Sequence, residues 1–460
     1  MTPKRRPEGH ERSGPNQEAT RHPTINLGGA ATERESVKRE KVLERVYEWG
    51  RLRLAWKQVE RNAGAAGIDE MTVGAFRERE EEFLREIQGK VQAGIYRFQP
   101  VRRVLIEKEG AEKKRKLGIP TVMDRIVSQS IHLVLGGIFD SMFTGSNFGF
   151  RRGKSQHGAI KHARQAVREG NAWCVSIDLK SFFDEIPHGL IFRLIRREIR
   201  DERFVTLIAR ALKAGVIVEG MCEKTVKGCP QGSPVSPILS NIVLNELDQE
   251  LERRGHRYVR WADDFIILVK SERAGKRVME SITRYLEGGL GLKVNKEKSE
   301  VAPVKDVAFL GFQILRGKLR VSARAREKFK RKVRELTRRN NPLSMRQIIS
   351  ALNEYLGGWV SYFRIQEFRQ IFRQLDEWVR NRLRSMQLKK WKSPAKFQRI
   401  MIKRGYASAD ARKTWVNMTR WQSVGRKEVR FTLNLEWFKR QGLIFLDTYT
   451  NRALELPFTC

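Results

Sequence analysis

The stretch Tyr258-Val-Arg-Trp-Ala-Asp-Asp-Phe-Ile-Ile-Leu-Val269 places two adjacent carboxylates, Asp263 and Asp264, between two runs of strand-forming residues. That pattern predicts a hairpin with the acids at its turn. Two aspartates in a turn are also ordinary turn chemistry, so the pair gains meaning only from its surroundings. Upstream, Ala172-Trp-Cys-Val-Ser-Ile-Asp178 is a β-rich run ending in an acid, followed by Leu-Lys-Ser-Phe182-Phe183-Asp184 and the breaker Pro187-His188. It predicts a strand that delivers one carboxylate at its end. A sheet laying Asp178 beside the hairpin would hold hard divalent cations through oxygen ligands, as phosphoryl transfer on nucleotides requires. Between the two acidic segments lies Gly228-Cys-Pro-Gln231-Gly232-Ser-Pro234-Val-Ser-Pro237, a turn-rich stretch running into an amphipathic helix from Ile238 to Leu251.

Charge narrows the partners. The 460 residues contain 91 Lys and Arg against 53 Asp and Glu, a formal charge of +38. A polyanion held by counterion release is the expected partner. No apolar run reaches the length of a membrane span and the N-terminus has no hydrophobic signal region, so a cytoplasmic protein is expected, nucleoid-associated when on DNA. Cys174, Cys222, Cys229 and Cys460 form no Cys-x-x-Cys pair and no disulfide framework. All seven histidines lie at or before His256, which argues against a zinc site or a His-dependent nuclease in the C-terminal part.

Taken in order, residues 1–35 lack periodicity and read as a disordered leader. Val42, Val46, Trp49, Leu52, Trp56 and Val59 recur at helical spacing between Ser36 and Asn62, and Arg61-Asn-Ala-Gly64-Ala-Ala-Gly67-Ile-Asp69 breaks the pattern. Val101 to Lys108 and Arg115 to Pro120 read as two strands joined by a charged turn. A long helix follows to Phe139, with Arg125 near its start. Asn147-Phe-Gly-Phe150-Arg151-Arg-Gly153-Lys154-Ser155 combines amides, cations and rings, which suits either a nucleic-acid backbone or fold-stabilising turn chemistry.

Character changes after Gly311. From Val321 to Cys460 there are 32 Lys and Arg against 11 Asp and Glu, a balance of +21. Ile348, Ile349, Leu352, Tyr355, Leu356, Trp359, Val360 and Phe363 recur at helical spacing, and Phe368, Ile371, Phe372, Leu375, Trp378, Val379 and Leu383 do so again. With Ala323 to Arg339 they predict three helices. Their opposite faces, with Arg369, Arg373, Arg380, Arg382 and Arg384, are where a duplex would lie. Leu388-Lys389-Lys390-Trp391 interleaves cations with an aromatic and opens a small basic module that includes Trp415 and Trp421.

The order of acid-ending strand, Gln-Gly-Ser-Pro-Val-Ser-Pro, Ala-Asp-Asp hairpin, Gly289-Leu-Gly-Leu292-Lys-Val-Asn295-Lys-Glu-Lys298-Ser and Phe309-Leu-Gly-Phe312 resembles the palm of the group II intron reverse transcriptase/maturases. Leu352-Asn-Glu-Tyr-Leu-Gly-Gly-Trp359-Val-Ser-Tyr362-Phe resembles their thumb, and the likeness covers about residues 55 to 460. One departure is Trp261, where the family usually has Tyr. The resemblance implies an α+β fold: a right-hand polymerase with a fingers/palm reverse transcriptase fold, a helical thumb and a small basic C-terminal domain. The implied divisions are 36–100 for an N-terminal extension and the start of the fingers, 101–315 for fingers and palm, 321–387 for the thumb and 388–460 for a DNA-binding-like domain. A C-terminal HNH endonuclease domain, which many relatives carry, is expected to be missing.

The same resemblance assigns roles. Asp178, Asp263 and Asp264 would hold two Mg²⁺, with Mn²⁺ as a substitute, and Lys298 would protonate the pyrophosphate leaving group. Lys108 and Arg115 would meet the triphosphate, and Phe183 would lie under the sugar of the incoming nucleotide. Gln231 and Gly232 would lie near the nascent base pair, Gly232 permitting close backbone approach. Arg125, Arg151, Lys154, Arg369, Arg373, Arg380, Arg384, Lys389 and Lys390 would contact nucleic acid. The implied partners are group II intron RNA, an RNA template with a DNA primer, target DNA and deoxynucleoside triphosphates, with no membrane. The implied activity is RNA-directed DNA synthesis with maturase assistance to splicing and target-primed retrohoming. The alternative is a stand-alone reverse transcriptase domesticated for defence or repair; a non-polymerising palm nucleotidyltransferase is disfavoured by the thumb.

Overall fold

The computed structural model describes residues 39–453 except 108–113, 219–220, 224, 415 and 418–419. The expected leader, Lys108, Trp415 and Cys460 therefore lie outside the described residues. Among the described residues ten strands carry the sheets: β1 Val101–Ile106, β2 Arg115–Ile119, β3 Trp173–Ile177, β4 Val216–Val218, β5 Met221–Glu223, β6 Arg257–Trp261, β7 Asp264–Val269, β8 Glu300–Pro303, β9 Phe312–Leu315 and β10 Lys318–Val321. The palm sheet runs β6-β7-β3-β8, every pair antiparallel.

Strand alternation sorts its side chains. Val175, Ile177, Tyr258, Phe265, Ile267 and Val269 face one core, shared with helices His188–Glu198, Ser236–Arg253 and Glu272–Arg284. Cys174, Val259, Ile266 and Leu268 face a second core, shared with helix Gln156–Arg168, the β9–β10 hairpin and the C-terminal helices. Both faces are thus covered, which explains the nearly unbroken apolar run from Phe265 to Val269. The catalytic hairpin is held from both sides.

A second sheet, β2-β1-β4-β5, forms the fingers, with β1 antiparallel to β2 and parallel to β4. Behind it, helix Val122–Phe139 is buried over most of its length and packs against helices Val42–Tyr47 and Trp49–Asn62. The single helix expected over this N-terminal stretch is two, because Glu48 leaves helical geometry at φ −53°, ψ 128°.

The three expected thumb helices are Ala323–Leu336, Met345–Phe363 and Gln370–Trp391. Ser344 and Gln347 form a capping box that starts the second. An aromatic cluster seats the thumb on the palm: Phe329 and Phe363 each lie 4.6 Å from Trp359, and Phe312 from β9 lies 5.0 Å from Phe363. Gly311, at φ 79°, turns the chain there, and a Cβ would meet the Phe363 ring at 3.2 Å. The expected boundary at 387/388 falls inside helix Gln370–Trp391. Residues beyond it, including Phe397, Met401, Phe438 and Leu446, share the thumb's core.

Candidate active site

Register places the carboxylates. Ile177 of β3 pairs with Phe265 of β7, so the next antiparallel position sets Asp178 opposite Asp264. Trp261 pairs with Asp264, leaving Ala262 and Asp263 as a two-residue hairpin loop. Ala262 sits at φ 58°, where an L-residue is strained and a hairpin normally uses Gly. The acids therefore gather at one end of the palm sheet.

Asp178 is held by the segment before β8. Its Oδ2 accepts from Asn295 Nδ2 at 3.1 Å, and its own N–H donates to Ser299 Oγ at 3.0 Å. Ser299 Oγ in turn donates to the Asn295 carbonyl at 2.8 Å. Lys298 Nζ lies 4.0 Å from Asp178 Oδ2, both side chains being open to solvent. Asn295 and Ser299 are supports that the sequence reading passed over, although both lie within the Asn295-Lys-Glu-Lys298-Ser segment it singled out.

Water reaches the Asp264 side chain, yet protein crowds it on most sides. Burial first, then the charges of Asp263 and Asp178, pushes its carboxyl up to about 6. Because solvent still reaches the group, the mutual repulsion is the more telling part of that shift. Three hard oxygen donors that repel one another are a set that a divalent cation relieves. Among the described residues no three acidic, imidazole or thiol side chains are already drawn together to hold a metal ion. Mg²⁺ suits such an open set, since it completes its octahedron with water and substrate phosphates.

Around the acids, the other expected site residues divide. Phe182 is core, at 3% exposure, while Phe183 is half-buried and meets it edge-on at 5.4 Å. The Phe183 carbonyl accepts from Cys229 N–H at 2.6 Å, tying it to the Gly-Cys-Pro-Gln-Gly turn. Gln231 and Gly232 sit against the fingers: the Gln231 carbonyl accepts from Gly118 N–H at 2.7 Å, and a Cβ on Gly232 would lie 2.2 Å from the Gly118 carbonyl oxygen. In the fold, the close approach that Gly232 permits is to strand β2. Arg115 opens β2 opposite Ile106.

Several cations expected on nucleic acid are engaged within the fold. Arg125 is buried and donates to the carbonyls of Ala63 at 3.2 Å and Ala65 at 2.8 Å, holding the loop after the N-terminal helix. Arg151 donates to Asp140 Oδ1 at 2.8 Å and to the Thr144 carbonyl at 2.7 Å. Arg380 pairs with Glu377 at 2.6 Å, Arg382 donates to the Thr337 carbonyl at 2.8 Å, and Arg384 is buried. Lys390 donates to the carbonyls of Asn341 and Leu343, and the exposed Lys389 to Asn340 Oδ1 at 2.8 Å, fastening the loop before Met345. Lys154, Arg369 and Arg373 remain exposed, Arg373 in a surface pair with Asp447.

Carboxylates at the end of an antiparallel palm, closed in by fingers and thumb, define a right-hand nucleotidyl polymerase. Residues 106–314 match the family described as reverse transcriptase (RNA-dependent DNA polymerase), and residues 326–405 match the group II intron maturase-specific domain. The chain is 32% identical over 299 residues to Protein YkfC of Escherichia coli, covering 56% of this chain and 78% of that protein. It is 29% identical over 328 residues to the group II intron-encoded protein LtrA of Lactococcus lactis, covering 57% of this chain and 54% of LtrA. The chain belongs to the group II intron reverse transcriptase/maturases, and it spans about half the length of LtrA. No helix among the described residues is long and apolar enough to cross a membrane.

Proposed function

We propose that the chain copies RNA into DNA at the Asp178, Asp263 and Asp264 cluster, and that it binds its intron RNA through the basic thumb to assist splicing and target-primed retrohoming. The observation that carries the catalytic reading is the register setting Asp178 against Asp264 with Asp263 at the adjoining turn. Asp178 and Asp263, with Asp264 beside them, would hold two Mg²⁺, which when bound supply activation of the primer 3′-hydroxyl and neutralisation of the triphosphate. Asn295 and Ser299 orient Asp178. Lys298 Nζ is the proton donor to the departing pyrophosphate, kept near the site by Asp178.

Phe183 selects deoxynucleotides by filling the space a 2′-hydroxyl would need. Phe183→Ala is expected to raise ribonucleotide incorporation on the order of 10- to 100-fold, the size of a pocket-shape discrimination. Competition between the two nucleotide classes in primer extension measures it; unchanged selectivity would leave Phe183 as packing.

The maturase-specific match supports intron RNA as the ligand over the stand-alone reading. Its test is to purify the protein from its native cell and sequence the RNA that accompanies it. One enriched structured intron is the expected result, whereas a heterogeneous pool would favour the stand-alone enzyme.

A further inference from the structure

Beneath the catalytic turn lies a buried ionic network to which the polymerase assignments give no role. Arg260 stands two residues before Ala262, and its side chain and that of Asp248, from helix Ser236–Arg253, are both at 0% exposure. Arg260 Nε donates to Asp248 Oδ1 at 2.8 Å. Its Nη1 donates to the Ala262 carbonyl at 2.9 Å and to Asn241 Oδ1 at 2.9 Å. Asn241 Nδ2 then donates to the Gly149 carbonyl at 2.8 Å. The main chain closes the circuit, with Phe148 N–H on the Arg260 carbonyl and Arg260 N–H on the Ser146 carbonyl, each at 2.9 Å.

Stability alone does not account for this arrangement. A buried ion pair returns little more than its desolvation costs, and an apolar pair of similar volume often serves as well. An apolar side chain could not, however, grip the Ala262 carbonyl. That carbonyl belongs to a residue held at φ 58°, in the position where Gly would relax. Gly149, from the loop before helix Gln156–Arg168, packs against the same turn: a Cβ there would fall 2.1 Å from Ala262 N and 3.0 Å from its Cα. The planar guanidinium holds the turn through its carbonyl, and the Gly149 backbone packs against its amide.

We infer that Arg260 is a positioning residue for nucleotide addition: anchored by Asp248 and Asn241, it fixes the Ala262 peptide and so aims the Asp263 carboxylate. The inference rests on Asp263 being a metal-holding acid and adds the device that orients it.

Two variants test it. Gly149→Ala adds one methyl, and Gly149 is not at positive φ, so the strain falls on the turn. Arg260→Lys keeps the charge that Asp248 needs and loses the planar fork. Gly136→Ala is the control, since its Cβ would meet nothing within 4 Å. The measurements are kcat and KM in primer extension, thermal midpoint, Kd for an RNA–DNA primer duplex, and Mn²⁺ affinity of the duplex complex by electron paramagnetic resonance. Gly149→Ala is expected to lower kcat by about 100-fold, the usual result of misplacing a reacting group by an ångström. Both variants should lower the midpoint, since the added Cβ and the lost donors fall on buried backbone, and should weaken Mn²⁺ binding of the folded complex by about 10-fold while duplex Kd stays near the parent's, as for loss of a support behind a ligand. Unchanged Mn²⁺ affinity and kcat in both variants would overturn the inference. So would equal losses of kcat and Mn²⁺ affinity in a core variant away from the turn with a comparable fall in midpoint, such as Leu207→Ala, or a matching loss of duplex binding, either of which marks a purely structural network. Failure of the catalytic reading itself shows elsewhere, as primer extension retained by Asp263→Ala.

Discussion

Asp263→Ala is expected to cut primer extension on an RNA template by about 10³-fold or more, roughly 4 kcal/mol of barrier, while RNA binding stays at the parental level. The catalytic half of that expectation follows from placement: Asp263 occupies the tight loop between β6 and β7, next to the residue that faces Asp178. The binding half follows from charge. A protein with a formal +38 holds RNA mainly by releasing counterions, and one carboxylate fewer leaves that sum nearly unchanged. Removing Asp263 also removes one of the charges that raise the Asp264 carboxyl. Extension assays paired with a salt titration of RNA affinity separate the outcomes. Retained synthesis would dismiss the site assignment, and lost RNA binding with a lowered midpoint would make the turn a folding element.

Local structure was legible wherever the pattern was local. The hairpin at Asp263 declared itself because strand formers flank a two-residue polar break, and the thumb helices because their apolar residues keep helical spacing over three to five turns. Pairing was not legible in the same way. Nothing in the order of residues says that β3 lies between β7 and β8, which is what brings Asp178 to Asp264; the family resemblance supplied that proximity. The break at Glu48 was hidden, since the apolar period continues across it while the backbone does not. The approach of Gly232 to Gly118 of the fingers was hidden too, since the two lie more than a hundred residues apart. For Asp178 and Gly232 a partner distant in sequence decides the surroundings.

The arginines of the third thumb helix make the same point with an energy attached. Arg384→Ala is expected to cost about 3 kcal/mol or more of stability, and Arg373→Ala less than about 1. From sequence the two are alike, cations beside an apolar stripe in a strongly basic segment. In the fold, Arg384 is 5% exposed, and its guanidinium donates to the Leu433 carbonyl at 3.0 Å and to Asn381 Oδ1 at 2.7 Å. It also rests over the Phe438 ring at 5.6 Å, so it joins the thumb helix to the segment that follows. Truncation strands the Leu433 carbonyl and opens a cavity between the two. Arg373 is exposed, and its pair with Asp447 is a surface contact that solvent and salt screen. Its removal should act on binding instead, lowering the slope of log affinity against log salt by about 1 if it meets a phosphate. Urea unfolding and the salt dependence of RNA affinity, measured on both variants, read the two effects separately. Arg384→Ala with parental stability and a reduced salt slope would return that arginine to the binding surface. The expected reverse would show that the basic excess of the C-terminal part is divided, one share facing nucleic acid and another holding thumb and C-terminal helices together.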